Sequence, residues 1–171
     1  MKKNKIEQAN IYQHEVDYIN NLNVSYEAKK ILFTFLVKRK FDFWSFLDNQ
    51  KIRNSAHTKI KLRRENFFKY VRELFECEAI DYDNQGFIIF NPPLETDGSQ
   101  IAITVTNHDK AGLYLDFINH VPLVKWCDKC NEPFKARGNK AKYCDVCSGV
   151  VAAKQAKERM KKYRGKIPVT L

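Results

Sequence analysis

The sequence predicts an α+β chain: a mainly helical N-terminal part with a small β-hairpin, then a four-cysteine module that ends in a basic helix. Three observations carry this. Apolar residues recur at three- and four-residue steps over 25–40 and 56–76, the period of a helix with one buried face. Short apolar runs flank a turn signal between 78 and 90, and apolar residues alternate at 101–106, the period of strands. Two Cys-x-x-Cys pairs stand at Cys127/Cys130 and Cys144/Cys147, with an uninterrupted helical pattern behind the second.

The elements follow in order. Residues 4–20 read as a polar amphipathic helix with Ile6, Ile11 and Val16 as its apolar contacts. Ser25 can cap a helix running to about Lys40, because its hydroxyl can accept from an otherwise unpaired N–H of the first turn. Ile31, Leu32, Phe35 and Leu36 share one face of that helix. Asp42 can cap a short helix holding Phe43, Trp44, Phe46 and Leu47. A third helix is expected from about Ala56 to Glu76, with Ile60, Phe67, Val71, Leu74 and Phe75 at helical spacing. Strands follow at Glu78 to Tyr82 and Phe87 to Phe90, around the turn Asp83-Asn84-Gln85-Gly86. Another strand spans Ile101 to Thr106, and Asn107 or Asp109 can start a helix through about Asn119. Cys77, at the end of an apolar helix, reads as a small buried hydrophobe.

Helix, short helix, basic helix and hairpin over about 25–90 resembles the winged helix-turn-helix class in element order, with no motif specific to a family. That resemblance implies a third helix entering the major groove, so Lys59, Lys61, Arg63 and Arg64 become candidate nucleic-acid contacts. Glu76, Glu78, Asp81 and Asp83 make the hairpin acidic, which does not suit phosphate. Three segments are expected: an N-terminal arm at 1–24, a winged-helix-like domain with an extra strand and helix at 25–120, and the cysteine module at 121–171.

Composition bounds the function. The chain has 171 residues, 44% of them hydrophobic, with 12 Phe and 8 Tyr, enough to bury a core. It carries 30 Lys+Arg against 20 Asp+Glu, a net charge of +10 that favours an acidic partner such as nucleic acid. Placement matters more than the total. Residues 125–171 hold 13 basic and 4 acidic residues, 51–72 hold 8 and 1, and 73–124 hold 1 and 9. No signal peptide or membrane-spanning run is evident, which predicts a cytoplasmic protein without membrane contact.

In a reducing compartment, cysteines are expected to hold metal rather than form disulfides. Two residues between cysteines let both sulfurs of a pair reach one ion, and two pairs complete a tetrahedron at about 2.3 Å per sulfur. One structural Zn2+ held by Cys127, Cys130, Cys144 and Cys147 is therefore predicted, with an iron–sulfur cluster or a redox dithiol as alternatives. Four thiolates leave no open position for catalysis by the metal.

A first knuckle, a hairpin and a second pair feeding a helix resemble the treble-clef zinc finger over about 125–165. Pro133-Phe134 and Tyr143 would cover the metal, and Gly138-Asn139 suits a turn between strands. The string Tyr143-Cys144-Asp145-Val146-Cys147 with a basic helix behind it also resembles small zinc fingers encoded by bacteriophages and mobile elements of Gram-positive bacteria. That resemblance implies nucleic-acid binding. In the last helix, Ala153, Ala156, Met160 and Tyr163 form a narrow apolar seam; packed on the finger, it would leave an ordinary solvated surface helix, the alternative to nucleic-acid contact. Lys154, Lys157, Arg159, Lys161, Lys162 and Arg164 surround it and are candidate phosphate contacts.

No enzyme is expected. Nucleases built on this scaffold need a catalytic histidine, and none follows Cys127. No phosphate-binding glycine loop or glycine-flanked nucleophilic serine is present. The reading is a zinc-containing DNA-binding protein regulating transcription or replication in a phage or mobile element. Two others stand beside it: an inhibitor that captures a host protein or nucleoprotein through the acidic 73–124 block, and an RNA-binding protein.

Overall fold

The computed structural model describes residues 8–41, 64–82, 88–90 and 100–164, with the backbone alone at Arg64, Tyr82, 88–90 and Arg164. It is a mixed α and β chain whose sheets are small, two-stranded and antiparallel. It divides into two compact units, Met1–His120 and Val121–Leu171. Among the described residues no helix is long and apolar enough to cross a membrane.

The first unit opens with strand β1 (Ala9–Tyr12) and helix α1 (Gln13–Asn21). This corrects the single helix expected over 4–20. Ala9 and Ile11 alternate into the core, and β1 pairs antiparallel with β4 (Ile101–Val105), Ala9 facing Val105 and Ile11 facing Ile103. The partner strand lies about ninety residues away, so no local period could reveal it. At the strand's end the Tyr12 N–H donates to Glu15 Oε2 at 2.8 Å, which starts α1.

Helix α2 (Tyr26–Phe41) is the centre of this unit. Ser25 caps it as expected: its Oγ accepts from the Ala28 N–H at 3.4 Å and donates to Glu73 Oε2 at 2.5 Å. The one-face reading is too narrow. Ile31, Leu32, Phe33, Phe35, Leu36 and Val37 are all fully buried, so α2 is covered around most of its circumference. The neighbouring elements are α1, α3 (Arg64–Glu76) and α4 (Ala111–Ile118), together with β1. Phe67, Val71 and Leu74 face inward from α3 at the predicted spacing.

Helix α3 ends with Glu78 in the left-handed region at φ 59, its N–H on Phe75 O at 3.0 Å and that of Ala79 on Leu74 O at 3.0 Å. These two bonds close the last turn in the arrangement usually built on glycine. The hairpin is present as β2 (Ile80–Tyr82) and β3 (Ile88–Phe90), with Ile80 facing Phe90. Asn107 Oδ1 accepts from the Asp109 N–H at 3.0 Å and starts a short turn of 3-10 helix that leads into α4. Tyr114 and Leu115 anchor α4: both are fully buried, and the Tyr114 hydroxyl accepts from the Thr106 N–H at 3.2 Å.

The short helix expected after Asp42 lies outside the described residues, as do Lys59, Lys61 and Arg63. The second unit consists of strands β5 (Val124–Trp126) and β6 (Pro133–Lys135) and helix α5 (Asp145–Arg164).

Candidate metal centre

The first cysteine pair sits in the turn that joins β5 to β6. Val124 faces Lys135 and Trp126 faces Pro133, so both strands run directly into the Cys127–Glu132 segment. The Cys127 N–H donates to Glu132 O at 2.9 Å, and the Asn131 N–H to Cys127 O at 3.0 Å. Asn131 takes the left-handed conformation at φ 54, which asparagine tolerates better than most residues. Its side-chain oxygen accepts from Trp126 Nε1. Sequence reasoning passed over both residues, although an asparagine directly after a Cys-x-x-Cys turn is a legible signal for such a bend.

Gly138-Asn139 does not join two strands, which corrects the expectation. It lies in the loop between β6 and α5, where the Ala141 N–H donates to Gly138 O at 3.2 Å. The hairpin turn is the cysteine knuckle itself. The loop is tied back by the Ala136 N–H on Leu123 O at 2.7 Å, and by the Asp128 N–H on Lys142 O at 3.0 Å. These bonds deliver Cys144 beside the knuckle. Helix α5 starts one residue later and places Cys147 in its first turn.

All four sulfurs lie within 4.8 Å of one another. The Cys130 and Cys144 sulfurs are 3.9 Å apart, far beyond the roughly 2.05 Å of a disulfide. A tetrahedral ion with bonds of about 2.3 Å needs its sulfurs about 3.8 Å apart, so the donor set can close on one ion with only a small contraction. Cys127, Cys144 and Cys147 are buried and Cys130 is exposed. Phe134 and Ala136 complete a small core around the cluster, with Ala141 and Tyr143 packed against it. Phe134 and Tyr143 thus cover the site as the sequence suggested. Among the described residues this is the one cluster of histidine, cysteine or acidic side chains arranged to hold a metal ion.

The electrostatics of the bare cluster are uneven. Burial pushes the Cys127 thiol up, but the backbone N–H groups of Cys130, Cys144 and Lys129 outweigh it and bring the pKa down to about 6. Although Cys130 is exposed as a residue, desolvation of its sulfur among the other three, with their hydrogen bonds, pushes its pKa up to about 12. Cys147 is also raised, chiefly by burial. The fold therefore favours the thiolate at Cys127 and resists it at Cys130 and Cys147, which must lose their protons to a bound cation.

Helix α5 leaves the cluster and continues for 20 residues, about 30 Å. From Ala152 through Tyr163 every side chain is exposed. The apolar seam is not packed on the finger: Met160 is 58% exposed and Tyr163 78%. Lys154, Lys157, Arg159, Lys161 and Lys162 all stand in solvent, and Arg164 is the last residue of the helix. Of the first unit's candidate contacts, Arg64 begins α3.

The acidic block at 73–124 is partly consumed inside the first unit. Asp116 is buried, 2.9 Å from Lys30 Nζ and 3.0 Å from the Tyr26 hydroxyl, and Glu73 holds Ser25. Cys77 is half-buried, its thiol 3.4 Å from Leu74 O.

Compared with known proteins, the chain matches no family model, no curated protein and no solved structure.

Proposed function

We propose that the chain is a zinc-containing nucleic-acid-binding protein, with DNA as its target, in which a treble-clef-like zinc module holds helix α5 out as a basic arm. The observation that carries this reading is the union of two features in one short unit. Four sulfurs converge at metal-binding distance, and directly behind them runs a helix whose outer 12 residues, Ala152–Tyr163, are exposed and carry five basic side chains against one acid. A free-standing helix of that length and charge is marginal in water. Anchored at its first turn by a bound ion, it becomes a preformed rod of positive charge suited to a phosphate backbone.

The metal's role is structural. It supplies the cross-link between knuckle and helix, and four thiolate ligands leave no site on it for substrate. Regulation of transcription or replication in a phage or mobile element is the setting that the resemblance of the cysteine string implies.

The test is a salt-titrated selection of mixed genomic DNA fragments on the purified protein, with the retained DNA sequenced. One enriched short site that survives moderate salt supports a specific DNA reader. Alanine at Lys154, Lys157 and Lys161 together should flatten the salt dependence of duplex binding by about 0.9 log units per contact removed. Unchanged affinity and slope in that variant would remove α5 from the interface.

A further inference from the structure

A shallow groove of about 310 Å³ opens on the metal-binding unit, between β6, the loop that follows it and the first turn of α5. Its lining divides by chemistry. Phe134 and Tyr143 give it an apolar, aromatic floor, while Lys135, Arg137 and Lys142 stand exposed at its rim with Asp145. The lining elements are held by the same backbone bonds that position Cys144, so the groove is preformed once the cluster is closed.

An aromatic floor with a cationic rim is the combination that single-stranded nucleic acids use. Every base has a face that stacks on a ring, and the phosphates on either side seek positive charge. The volume lies at the lower end of small-ligand pockets, suited to one nucleotide rather than several. A duplex cannot offer a base in this way, because its bases are stacked on each other. Asp145 is the one acid at the rim. It pairs with Arg137 at 3.3 Å, but both side chains are largely exposed, 79% and 86%, so the pair is weak and readily exchanged. A carboxylate there can accept a hydrogen bond from an exocyclic amino group of a base.

We propose that this groove is a receptor for one unpaired nucleotide of a single strand, its base stacked on Tyr143 and its flanking phosphates held by Lys135, Arg137 and Lys142. This rests on the nucleic-acid reading of the metal-binding unit and adds to it a second contact of different character. Helix α5 contributes phosphate attraction to either strand form; the groove contributes stacking and selects unpaired strands.

The test uses the full metal-loaded chain and fluorescein-labelled 10-nucleotide strands, single or annealed to a complement, read by anisotropy across a salt series. Tyr143→Leu keeps apolar cover over the cluster but removes the stacking ring, and Tyr143→Phe restores it. Arg137→Ala alters an exposed side chain only. Native mass spectrometry confirms one metal per chain in each variant. Tyr143→Leu is expected to weaken single-strand binding about 5- to 100-fold, with duplex binding within about twofold of wild type and Tyr143→Phe close to wild type. Arg137→Ala is expected to weaken single-strand binding and flatten its salt slope by about 0.7. The groove is overturned if Tyr143→Leu and Arg137→Ala bind single strands like wild type, or if single strand and duplex weaken equally. Groove variants without effect beside α5 alanine variants that do weaken binding would remove the groove alone. Wild-type protein that binds neither strand form would remove the nucleic-acid reading as well.

Discussion

Lys40 Nζ lies 3.0 Å from Glu15 Oε1, and the Glu15 side chain is fully buried. The same ammonium donates to Asn10 O at 2.9 Å and sits 4.6 Å from the centre of the Tyr12 ring. One cation at the end of α2 therefore holds the end of β1 and the start of α1. Glu15 also attracts Arg39, whose pKa burial lowers and Glu15 raises.

Lys40→Met is expected to destabilise the first unit by about 3 kcal/mol in urea denaturation, because it removes the nearest cation from a buried carboxylate that Arg39 and the Tyr12 N–H offset only in part. Glu15→Gln combined with Lys40→Met should recover most of that loss, since neither charge is then left alone. Equal loss in the single and double variants would mean the pair does not act as a pair.

Glu78 occupies the left-handed position that closes α3. Glu78→Gly removes a conformational cost of about 1–2 kcal/mol and adds a smaller entropic one. The midpoint of thermal unfolding is expected to rise by a few degrees. A lower midpoint would show that the Glu78 side chain supplies something more than its backbone loses.

The cysteine cluster sets a pH dependence with a defined sign. In the metal-free fold the Cys127 thiol ionises at about 6, below its ordinary 9.0. The stability this thiolate contributes is full above about pH 9 and is lost as pH falls towards 6. Cys130, raised to about 12, must give up its proton to bind an ion, so metal affinity climbs with pH across the neutral range. Competition with a chromogenic chelator at pH 5.5, 6.5 and 7.5 should show affinity falling at least about tenfold per unit of acidification, most steeply below pH 6. An affinity independent of pH would contradict ligation by thiolates.

Particular residues show where the sequence was informative. Ser25 and the period of Phe67, Val71 and Leu74 were legible because caps and helical faces are local. The hairpin at 80–90 was legible from its turn residues. Strand β1 was not, since Ala9–Tyr12 owes its form to β4, remote in sequence. Burial around most of α2 was hidden as well: a helix buried on several sides loses the polar face that periodicity detects.

In the metal-binding unit the cysteine spacing named residues that the fold brings together, because a four-ligand site constrains sequence directly. The groove was not legible. Lys135, Arg137 and Lys142 carry no periodic pattern, and only the path of the loop brings them around Tyr143. The freedom of the α5 seam was hidden too, since a narrow apolar stripe looks the same whether or not something covers it.

The most direct test is native mass spectrometry of the purified chain. The account predicts one zinc ion per chain, retained by the folded protein and lost when Cys144 and Cys147 are both replaced by serine. A folded wild-type chain that carries no metal would contradict it.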